Sequence, residues 1–318
     1  MRIAIFGTGG VGGYFGGRLA QAGQDVVFIA RGKHLEALRT HGLRVDSISG
    51  DFIVQPVDAT DDPVKVGIVD VILVGVKAWQ VPEAAEAMRP MVGPQTFVVP
   101  LQNGVEAPSE LAAVLGRDHV LGGLCGLMTF IVEPGHIRHA ASEPFVRFGE
   151  LDNRPSERAE ELREAFAKAE GLTVEIPPDI QVALWQKFVF VTVWSGVGAI
   201  TRAPIGVFRS QPGTRQMVEQ AVREVFDVGQ AHNIALPQDT TSKTMEFLDS
   251  LAPYGTASMQ RDIMEGRPSE LDSQNGAVVR LGQAVGVETP VNAFIYHSLL
   301  PMEMRARGQL PWPEAQQA

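Results

Sequence analysis

Short apolar runs alternate with helical segments in the first half of the chain. The runs include "RIAIF", "DVVFIA" and "VDVILVGV", in which apolar residues follow one another almost without interruption. Continuous runs of this kind are typical of strands that are buried on both faces, as in a parallel sheet covered by helices. The pattern therefore predicts an α/β domain with a doubly wound parallel sheet. The predicted strands are Arg2–Phe6, Asp25–Ala30, Val69–Val76 and Thr96–Pro100, with shorter runs near His119–Cys125 and Phe145–Phe148.

The pattern changes at "EIPPDIQ". Pro177 and Pro178 end the last predicted strand, and Asp179 is placed to cap a new helix. The β-branched run Phe188–Val193 suits a strand by local propensity, but its long setting without a turn signal favours a buried helix. We therefore expect an α/β domain over residues 1–178 and an all-α domain over residues 179–318, with a loose tail after Arg307. The predicted helices are Ile180–Ser195, Arg215–His232, Gln238–Leu251, Glu270–Val285 and Pro290–Arg307.

Charge and cysteine content narrow the classes of partner. The formal net charge of −10 argues against nucleic acid and membrane surfaces, although a site can still be locally basic. A single cysteine, Cys125, excludes an internal disulfide framework and suits a reducing cytoplasm. We expect no targeting segment, and the longest apolar run, Phe188–Ile200, is short for a membrane span. His136 and His139 point to opposite faces of a predicted strand, so we expect no metal site.

A glycine motif stands at the start of the chain. In "IAIFGTGGVGG", Gly7, Gly9 and Gly12 have G-x-G-x-x-G spacing between a predicted strand and a predicted helix, Tyr14–Ala22. The first glycine permits a tight turn, the second lets a pyrophosphate approach the backbone, and the third allows close helix–strand packing. A glycine-rich structural turn is the alternative. The position between a strand and a helix favours a dinucleotide site that also includes Gly10.

Three polar residues follow the ends of predicted strands. Arg31 stands in "FIARGKH" where proteins that bind NAD usually carry an acidic residue, which indicates NADP because a guanidinium can bind the 2′-phosphate with two hydrogen bonds. A solvated basic loop is the alternative. Lys77 follows "VILVGV" and Asn103 follows "VVPLQ", so both should border the cofactor crevice. Asn103-Gly104 also suits an ordinary turn.

These residues and several motifs resemble the ketopantoate reductase (2-dehydropantoate 2-reductase) family over nearly the whole chain. The motifs are "GTGGVGG", "ARG", "QNG", "WQKF", "SMQRDI" and "SELDSQNG", with the lysine after "VILVGV". The resemblance implies a Rossmann-like N-terminal domain and a helical C-terminal domain. It also implies a cytoplasmic enzyme of pantothenate biosynthesis that uses NADPH to reduce a small 2-oxo acid at C2.

The resemblance also implies roles for single residues. Lys187 matches the catalytic lysine, Glu270 an active-site glutamate, and Ser258 a serine that contacts the substrate. Asn103 matches an asparagine beside the nicotinamide, Lys77 the lysine at a strand end, and Arg31 the arginine on the NADP phosphate.

The match to the family has a gap in the substrate site. The family carries asparagines four and eight residues after the lysine, where this chain has Val191 and Ser195, and a further one where it has Ile205. Positions i, i+4 and i+8 share one helix face, so these side chains are expected to line one pocket, with Ser195 as a substrate contact. Replacing these amides with Val and Ile removes hydrogen bonds to the substrate, so the reaction type can be retained while the identity of the 2-oxo acid is left open.

The proposed chemistry explains a charge inside "LWQKFVFVTVW". Hydride that reaches a carbonyl carbon leaves negative charge on the oxygen, which needs a proton and electrostatic stabilisation, and a lysine ammonium supplies both. The alternative is that Lys187 extends from the helix edge to solvent. Glu270 has a structural alternative as well, since Ser269 can cap a helix whose first turn holds Glu270 and Asp272.

Other residues and functions remain as alternatives. Asp262 is expected to be structural, and Trp185 and Trp194 are expected to pack in the core or between the domains rather than stack on a cofactor. A different β-hydroxy-acid or polyol-phosphate dehydrogenase, and a non-catalytic protein that senses NADP, are the competing functions. The sequence does not separate a monomer from a homodimer.

Overall fold

The computed structural model describes residues 1–313, which divide into two compact units. One unit comprises Met1–Gln102 and Glu106–Ala183, and the other comprises Asn103–Val105 and the described residues from Leu184 onward. The proposed domain boundary between residues 178 and 179 lies just before this division and stays a proposal. Of the tail that was expected to be loose, residues 314–318 lie outside the described part.

The first unit is an α/β unit with a parallel five-stranded sheet. Its elements are β1 (Arg2–Phe6), α1 (Gly10–Gln21), β2 (Asp25–Ile29), α2 (Gly32–His41), β3 (Leu43–Ser47), β4 (Phe52–Val54), β5 (Asp58–Thr60), α3 (Pro63–Val66), β6 (Val71–Val74), α4 (Val81–Met88), β7 (Phe97–Pro100), α5 (Ala107–Leu115), β8 (Leu121–Glu133), β9 (His136–Glu150), α6 (Glu157–Ala167) and β10 (Thr173–Glu175). The parallel sheet has the order β5–β2–β1–β6–β7, so the strand order reverses between β1 and β6. The predicted doubly wound, Rossmann-like fold is confirmed.

A second sheet was not predicted. It has the order β10–β9–β3–β4, and β8 pairs with β9 in an antiparallel hairpin. The sequence indicated only short runs near His119–Cys125 and Phe145–Phe148, and these lengths were wrong. In β9, polar residues such as Arg138, Ser142 and Glu143 interrupt the apolar ones, so this strand lacks the continuous apolar pattern that identified the other strands. The outer part of β8 is apolar but exposed, and it was not recognised as part of a strand.

Helix α1 lies between the two sheets. A side chain at Gly13 would collide with Ile137 of β9, and a Cβ atom at Gly16 would lie 2.5 Å from Ile5 of β1. The glycines of "GVGGYFGG" therefore let both sheets approach the helix backbone closely. The predicted helix Tyr14–Ala22 is confirmed but starts earlier, at Gly10. Core side chains fill both faces of the parallel sheet, with Phe15 on the α1 side and Met88 on the other.

The second unit is helical, as predicted. Its elements are α7 (Ile180–Thr201), which begins in the first unit, α8 (Ile205–Phe208), α9 (Pro212–Ala231), α10 (Thr240–Ser250), α11 (Ser258–Met264), a π-helical turn (Asp272–Gly276), α12 (Ala277–Val285) and α13 (Pro290–Ala306). No strand occurs between Leu184 and residue 313. Helices α8 and α11 were not predicted, because each spans too few residues to show a helical period.

Helix α7 settles the ambiguity of the β-branched run. The Asp179 carboxylate accepts hydrogen bonds from the Gln181 and Val182 amides at 2.9 and 3.0 Å, which confirms the predicted helix cap. The helix continues to Thr201, beyond the predicted end at Ser195. It is long and apolar enough to cross a membrane, but 72% of its most apolar window is buried inside the protein, as in the core helix of a soluble protein.

Candidate active site

The glycine motif forms the turn between β1 and α1. Gly7 has a φ of +100°, a conformation that L side chains rarely adopt, and Gly12 packs against the Gly7 carbonyl so closely that no side chain would fit. Gly9 precedes the helix, and no atom lies within 4 Å of where its Cβ would stand. The amides of the first helical turn, which starts at Gly10, point towards this open space. The loop therefore fits a pyrophosphate at the helix N-terminus.

The parallel sheet places the predicted cofactor residues at one edge. Strands β2, β1 and β6 are neighbours, with Phe6 in register with both Ile29 and Val74. Gly7 follows β1 directly, Arg31 lies just beyond β2, and Lys77 lies just beyond β6. The carboxyl ends of parallel strands meet at the same edge, and dinucleotides bind where the strand order reverses. The first unit therefore brings these three predicted residues together.

Arg31 is exposed and only loosely paired. Its side chain is 69% exposed, and the carboxylate with which it pairs, that of Glu83, lies 4.0 Å from the guanidinium. An ion pair of this length between two exposed side chains contributes little, so a phosphate could replace Glu83 at small cost. Lys77 is half-buried, and its ammonium lies 5.8 Å from the ring centre of Trp79. These positions suit the phosphates of a nicotinamide cofactor.

Two polar residues at this edge were missed from the sequence. Gln102 is buried, and its side-chain amide donates to the carbonyls of Val74 and Val76, both at 2.8 Å. It therefore holds the chain that leads from β6 to Lys77. Its position next to Asn103 in "QNG" could have indicated this role, because an amide side chain at the end of a buried strand needs hydrogen-bond partners.

His34 contacts the turn between β8 and β9. Its Nδ1 accepts a hydrogen bond from the Gly135 amide at 3.1 Å. Burial lowers the pKa of His34. Its Nε2 is buried and has no hydrogen-bond partner among residues 1–313. No pattern in the sequence marked His34, since Gly135 is remote from it along the chain.

Lys187 lies near the start of α7 in the second unit. It is half-buried, while the following positions on the same helix face, Val191 and Ser195, are buried. The Ser195 hydroxyl has no hydrogen-bond partner among residues 1–313. Ile205, the third position where the resemblance implied an asparagine, is fully buried at the start of α8. The apolar face that the sequence predicted beside Lys187 is therefore present.

Glu270 and Asn103 are in direct contact. Asn103 donates its side-chain amide to Glu270 Oε2 at 2.9 Å, and Gln274 donates to the same oxygen at 3.5 Å. Glu270 is 6% exposed. Within the described chain, the hydrogen bonds to its carboxylate reach Oε2, and neither a hydrogen bond to Oε1 nor an ion pair is seen. A buried carboxylate normally has partners on both oxygens. Oε1 is thus the oxygen that can accept a hydrogen bond from a ligand.

The structural alternative for Glu270 is partly correct. The Ser269 hydroxyl accepts a hydrogen bond from the Leu271 amide at 3.2 Å, which is the expected capping contact. The segment then forms a π-helical turn, in which the Gly276 amide donates to the Leu271 carbonyl at 3.0 Å. Turns of this type are rare and are frequent at functional sites. A capping role for Ser269 and a functional role for Glu270 are therefore compatible.

The remaining candidates divide into site and scaffold. Ser258 begins α11 and is half-buried, so it remains a candidate substrate contact. Asp262 pairs with Arg267 at 2.8 Å, as expected of a structural residue. Trp185 packs edge to face with Phe188 at 5.5 Å, which confirms its place in the core, whereas Trp194 is half-buried. Among the described residues, no group of His, Cys, Asp or Glu is arranged to hold a metal ion.

Two family models match the chain. The model for ketopantoate reductase PanE/ApbA matches residues 3–153, and the model for the C-terminal domain of the same family matches residues 179–303. The chain belongs to the ketopantoate reductase family. It is therefore an oxidoreductase with a nicotinamide cofactor, as the resemblance implied.

Relatives extend over nearly the full length. The chain is 31% identical to a 2-dehydropantoate 2-reductase of Nostoc sp., with 97% of this chain and 98% of the relative covered. It is 29% identical to an uncharacterized oxidoreductase, YkpB, of Bacillus subtilis, covering 94% of this chain and 98% of that protein. A crystal structure of a PanE/ApbA family ketopantoate reductase from Ralstonia eutropha JMP134 aligns with a TM-score of 0.87 at 32% identity, over 96% of this chain and all of that one.

A more distant structure has the same fold. D-mandelate dehydrogenase, solved with NADH and anilino(oxo)acetate, aligns with a TM-score of 0.87 over 96% of this chain and 99% of that chain at 22% identity. At this identity the likeness extends to the fold alone. The roles assigned to single residues in this chain, including Lys187 and Glu270, stay predictions.

Proposed function

We propose that this protein catalyses the NADPH-dependent reduction of a 2-oxo acid at C2, with 2-dehydropantoate or a close analogue as substrate. The observation that carries the proposal is the state of Glu270, a buried carboxylate with one oxygen held by Asn103 and the other open to a ligand. A 2-hydroxy acid product, or a substrate hydroxyl, can donate a hydrogen bond to that oxygen. The relatives named 2-dehydropantoate 2-reductase support the substrate class.

Each unit has a separate task in this reaction. When bound, NADPH would supply the hydride. The turn from Gly7 to Gly12 and the Arg31 guanidinium hold the phosphates in the first unit. In the second unit, Lys187 donates a proton to the carbonyl oxygen and stabilises its developing negative charge. Glu270 orients the substrate, and Asn103 fixes the Glu270 carboxylate.

The experiment that tests the proposal is an assay of NADPH oxidation against a panel of 2-oxo acids, which includes 2-dehydropantoate, α-branched aliphatic acids and aromatic acids. Turnover of at least one member is the expected result. Binding of NADPH without oxidation in the presence of every acid would instead indicate a protein that senses the cofactor. Turnover only with a polyol phosphate or a β-hydroxy acid would indicate a different dehydrogenase.

Cofactor preference provides the first prediction. NADPH should bind at least about tenfold more tightly than NADH, because a charge-assisted contact to the 2′-phosphate contributes roughly 1.5–3 kcal/mol. Arg31→Ala should remove most of this preference by weakening NADPH binding alone. Dissociation constants from fluorescence titration of both cofactors check the result. Lys65→Ala, which removes an exposed charge of the same unit that pairs with Asp62, is the control. Equal affinity of the parent for both cofactors would contradict the assignment.

Substrate preference provides the second prediction. Because the face after Lys187 carries Val191 rather than an amide, we expect 2-dehydropantoate either to be a poor substrate or to be held by groups outside this helix face. Val191→Asn should raise kcat/KM for 2-dehydropantoate relative to more apolar 2-oxo acids, since an added amide can bond to the substrate carboxylate or hydroxyl.

The control for this change is Val193→Asn. Val193 is buried on α7 two positions further on, so it points away from the face that Val191 shares with Lys187. Both variants bury an amide and should lose stability, but only Val191→Asn should change the ranking of acids. If the unmodified protein turns over 2-dehydropantoate better than every other member of the panel, the expectation of a poor substrate is wrong.

A further inference from the structure

We propose that Glu303, near the end of α13, is a positioning residue that holds Glu270 in place for the reaction. The inference deepens the proposed function, because it concerns the group that orients the substrate. Glu303 is 4% exposed, and its carboxylate accepts three hydrogen bonds from Ser269, the residue directly before Glu270.

Every polar group of Ser269 takes part in hydrogen bonds with Glu303 or Arg307. The Ser269 amide donates to both carboxylate oxygens of Glu303 at 3.0 Å, and the Ser269 hydroxyl donates to Oε2 at 2.5 Å. Arg307, one turn further along the chain, donates to Glu303 Oε1 at 2.6 Å and to the Ser269 carbonyl at 3.0 Å. The amide, hydroxyl and carbonyl of Ser269 are therefore all bonded to the same two residues at the end of α13.

This arrangement fixes the chain on both sides of Glu270. The Ser269 carbonyl belongs to the peptide bond that enters Glu270, and Arg307 sets its direction. The Ser269 hydroxyl also accepts from the Leu271 amide, which belongs to the peptide bond that leaves Glu270. Since both peptide planes are held, the Cα–Cβ bond of Glu270 has one direction, and its carboxylate reaches Asn103.

The ion pair between Glu303 and Arg307 stabilises the contact with Ser269. A buried carboxylate without a partner would be strongly destabilising, but Arg307 neutralises Glu303 within the same helical end. Glutamine at position 303 has nearly the same size but only one acceptor oxygen. With a single acceptor oxygen, the glutamine cannot accept the hydrogen bonds that Ser269 and Arg307 donate to the two oxygens of Glu303. The change therefore loosens the hold on Ser269 without opening a cavity.

The first test is a kinetic double-mutant cycle on the full-length protein. Glu303→Gln should lower kcat/KM for the best 2-oxo acid of the panel by about tenfold or more, because small displacements of a group that orients the substrate are costly. The dissociation constant of NADPH should stay unchanged. In a Glu270→Gln background the same change should cost less than about twofold, since there is no carboxylate left to position. Equal losses in both backgrounds would overturn the inference.

Two further variants separate positioning from general stability. Ser269→Ala keeps the backbone amide that donates to Glu303 but loses the hydroxyl, so it should give a smaller loss that is also coupled to Glu270→Gln. This variant replaces Glu303→Gln in the cycle if the latter does not fold. Asp249→Asn breaks a carboxylate–arginine pair with Arg215 elsewhere in the second unit and should leave kcat/KM unchanged. A comparable loss of kcat/KM in Asp249→Asn would contradict a specific role for Glu303.

A crystal structure of Glu303→Gln tests the inference even if the protein reduces none of the acids. The distance between Asn103 Nδ2 and Glu270 Oε2, 2.9 Å in the parent, should exceed 3.5 Å in the variant. An unchanged distance would overturn the inference. Failure of the proposed function would appear separately, as the absence of NADPH oxidation by the unmodified protein.

Discussion

Lys187→Ala should lower kcat for the reduction of the best 2-oxo acid by about 10²–10⁴, the usual range for the loss of a general acid. The carbonyl oxygen would then lack both its proton donor and the positive charge that stabilises the transition state. NADPH affinity should remain close to that of the parent, because the glycine turn and Arg31 belong to the first unit. Stopped-flow measurement of NADPH oxidation under single-turnover conditions checks the chemical step directly.

A lysine that only extends its chain to solvent predicts a different outcome. Such a residue would lose packing of its methylene groups, with modest destabilisation and little change in turnover. Gln186→Ala is the matched control, since Gln186 is the exposed neighbour of Lys187 on the same helix. Near-normal kcat for Lys187→Ala at saturating substrate would show that the lysine has no role in proton transfer.

The strands of the first unit could be predicted from the sequence where both of their faces are buried. Strands β1, β2, β6 and β7 are covered on both faces, so their sequences are almost continuously apolar. The edge strand β5, Asp58–Thr60, has three residues and an acidic start, and nothing in its pattern distinguishes it from a loop. Strand β4 has three residues and was missed for the same reason. Strand β3 was missed because polar residues interrupt its apolar ones and it is only partly buried.

Helix α7 shows where length outweighs local propensity. The stretch "FVFVTV" favours a strand by composition, but it lies within 22 helical residues that begin at a capping aspartate. Its β-branched side chains are tolerated because most of the helix is buried, where packing determines the conformation more than intrinsic preference does.

The position of Gly7, Arg31 and Lys77 at one edge of the parallel sheet was predictable because it depends on order along the chain. Parallel strands end at the same edge, so residues that follow strand ends come together whatever the details of packing. The contact between Asn103 and Glu270 was not predictable in this way, since the two residues are 167 positions apart. No pattern in the sequence marked Glu303 either. A glutamate one turn before an arginine reads as an exposed helical pair, and only the fold shows that Ser269 lies against it.

The second large effect concerns Glu270. Glu270→Gln should lower kcat/KM for the best 2-oxo acid by about tenfold to a hundredfold, because a hydrogen bond to a charged acceptor contributes roughly 1.5–3 kcal/mol. Glutamine fills the same space and can still contact Asn103, so the change removes the charge and little else. Steady-state kinetics with variation of the acid at saturating NADPH provides the measurement.

Asp272→Asn separates this role from the stabilisation of a helix dipole. Asp272 also lies in the first turn of the segment, where it bonds to Arg280 at 2.8 Å and to Tyr296 at 3.0 Å. If both acids acted only on the dipole, the two variants should lose similar stability, typically about 0.3–1 kcal/mol each, and neither should change turnover. We expect Asp272→Asn to lose some stability without a change in turnover, and Glu270→Gln to lose turnover. Asn103 holds one oxygen of the Glu270 carboxylate, no cation among residues 1–313 is seen to pair with it, and under the proposed function a substrate hydroxyl binds the other oxygen. Similar kinetics for the two variants would remove the basis for that assignment.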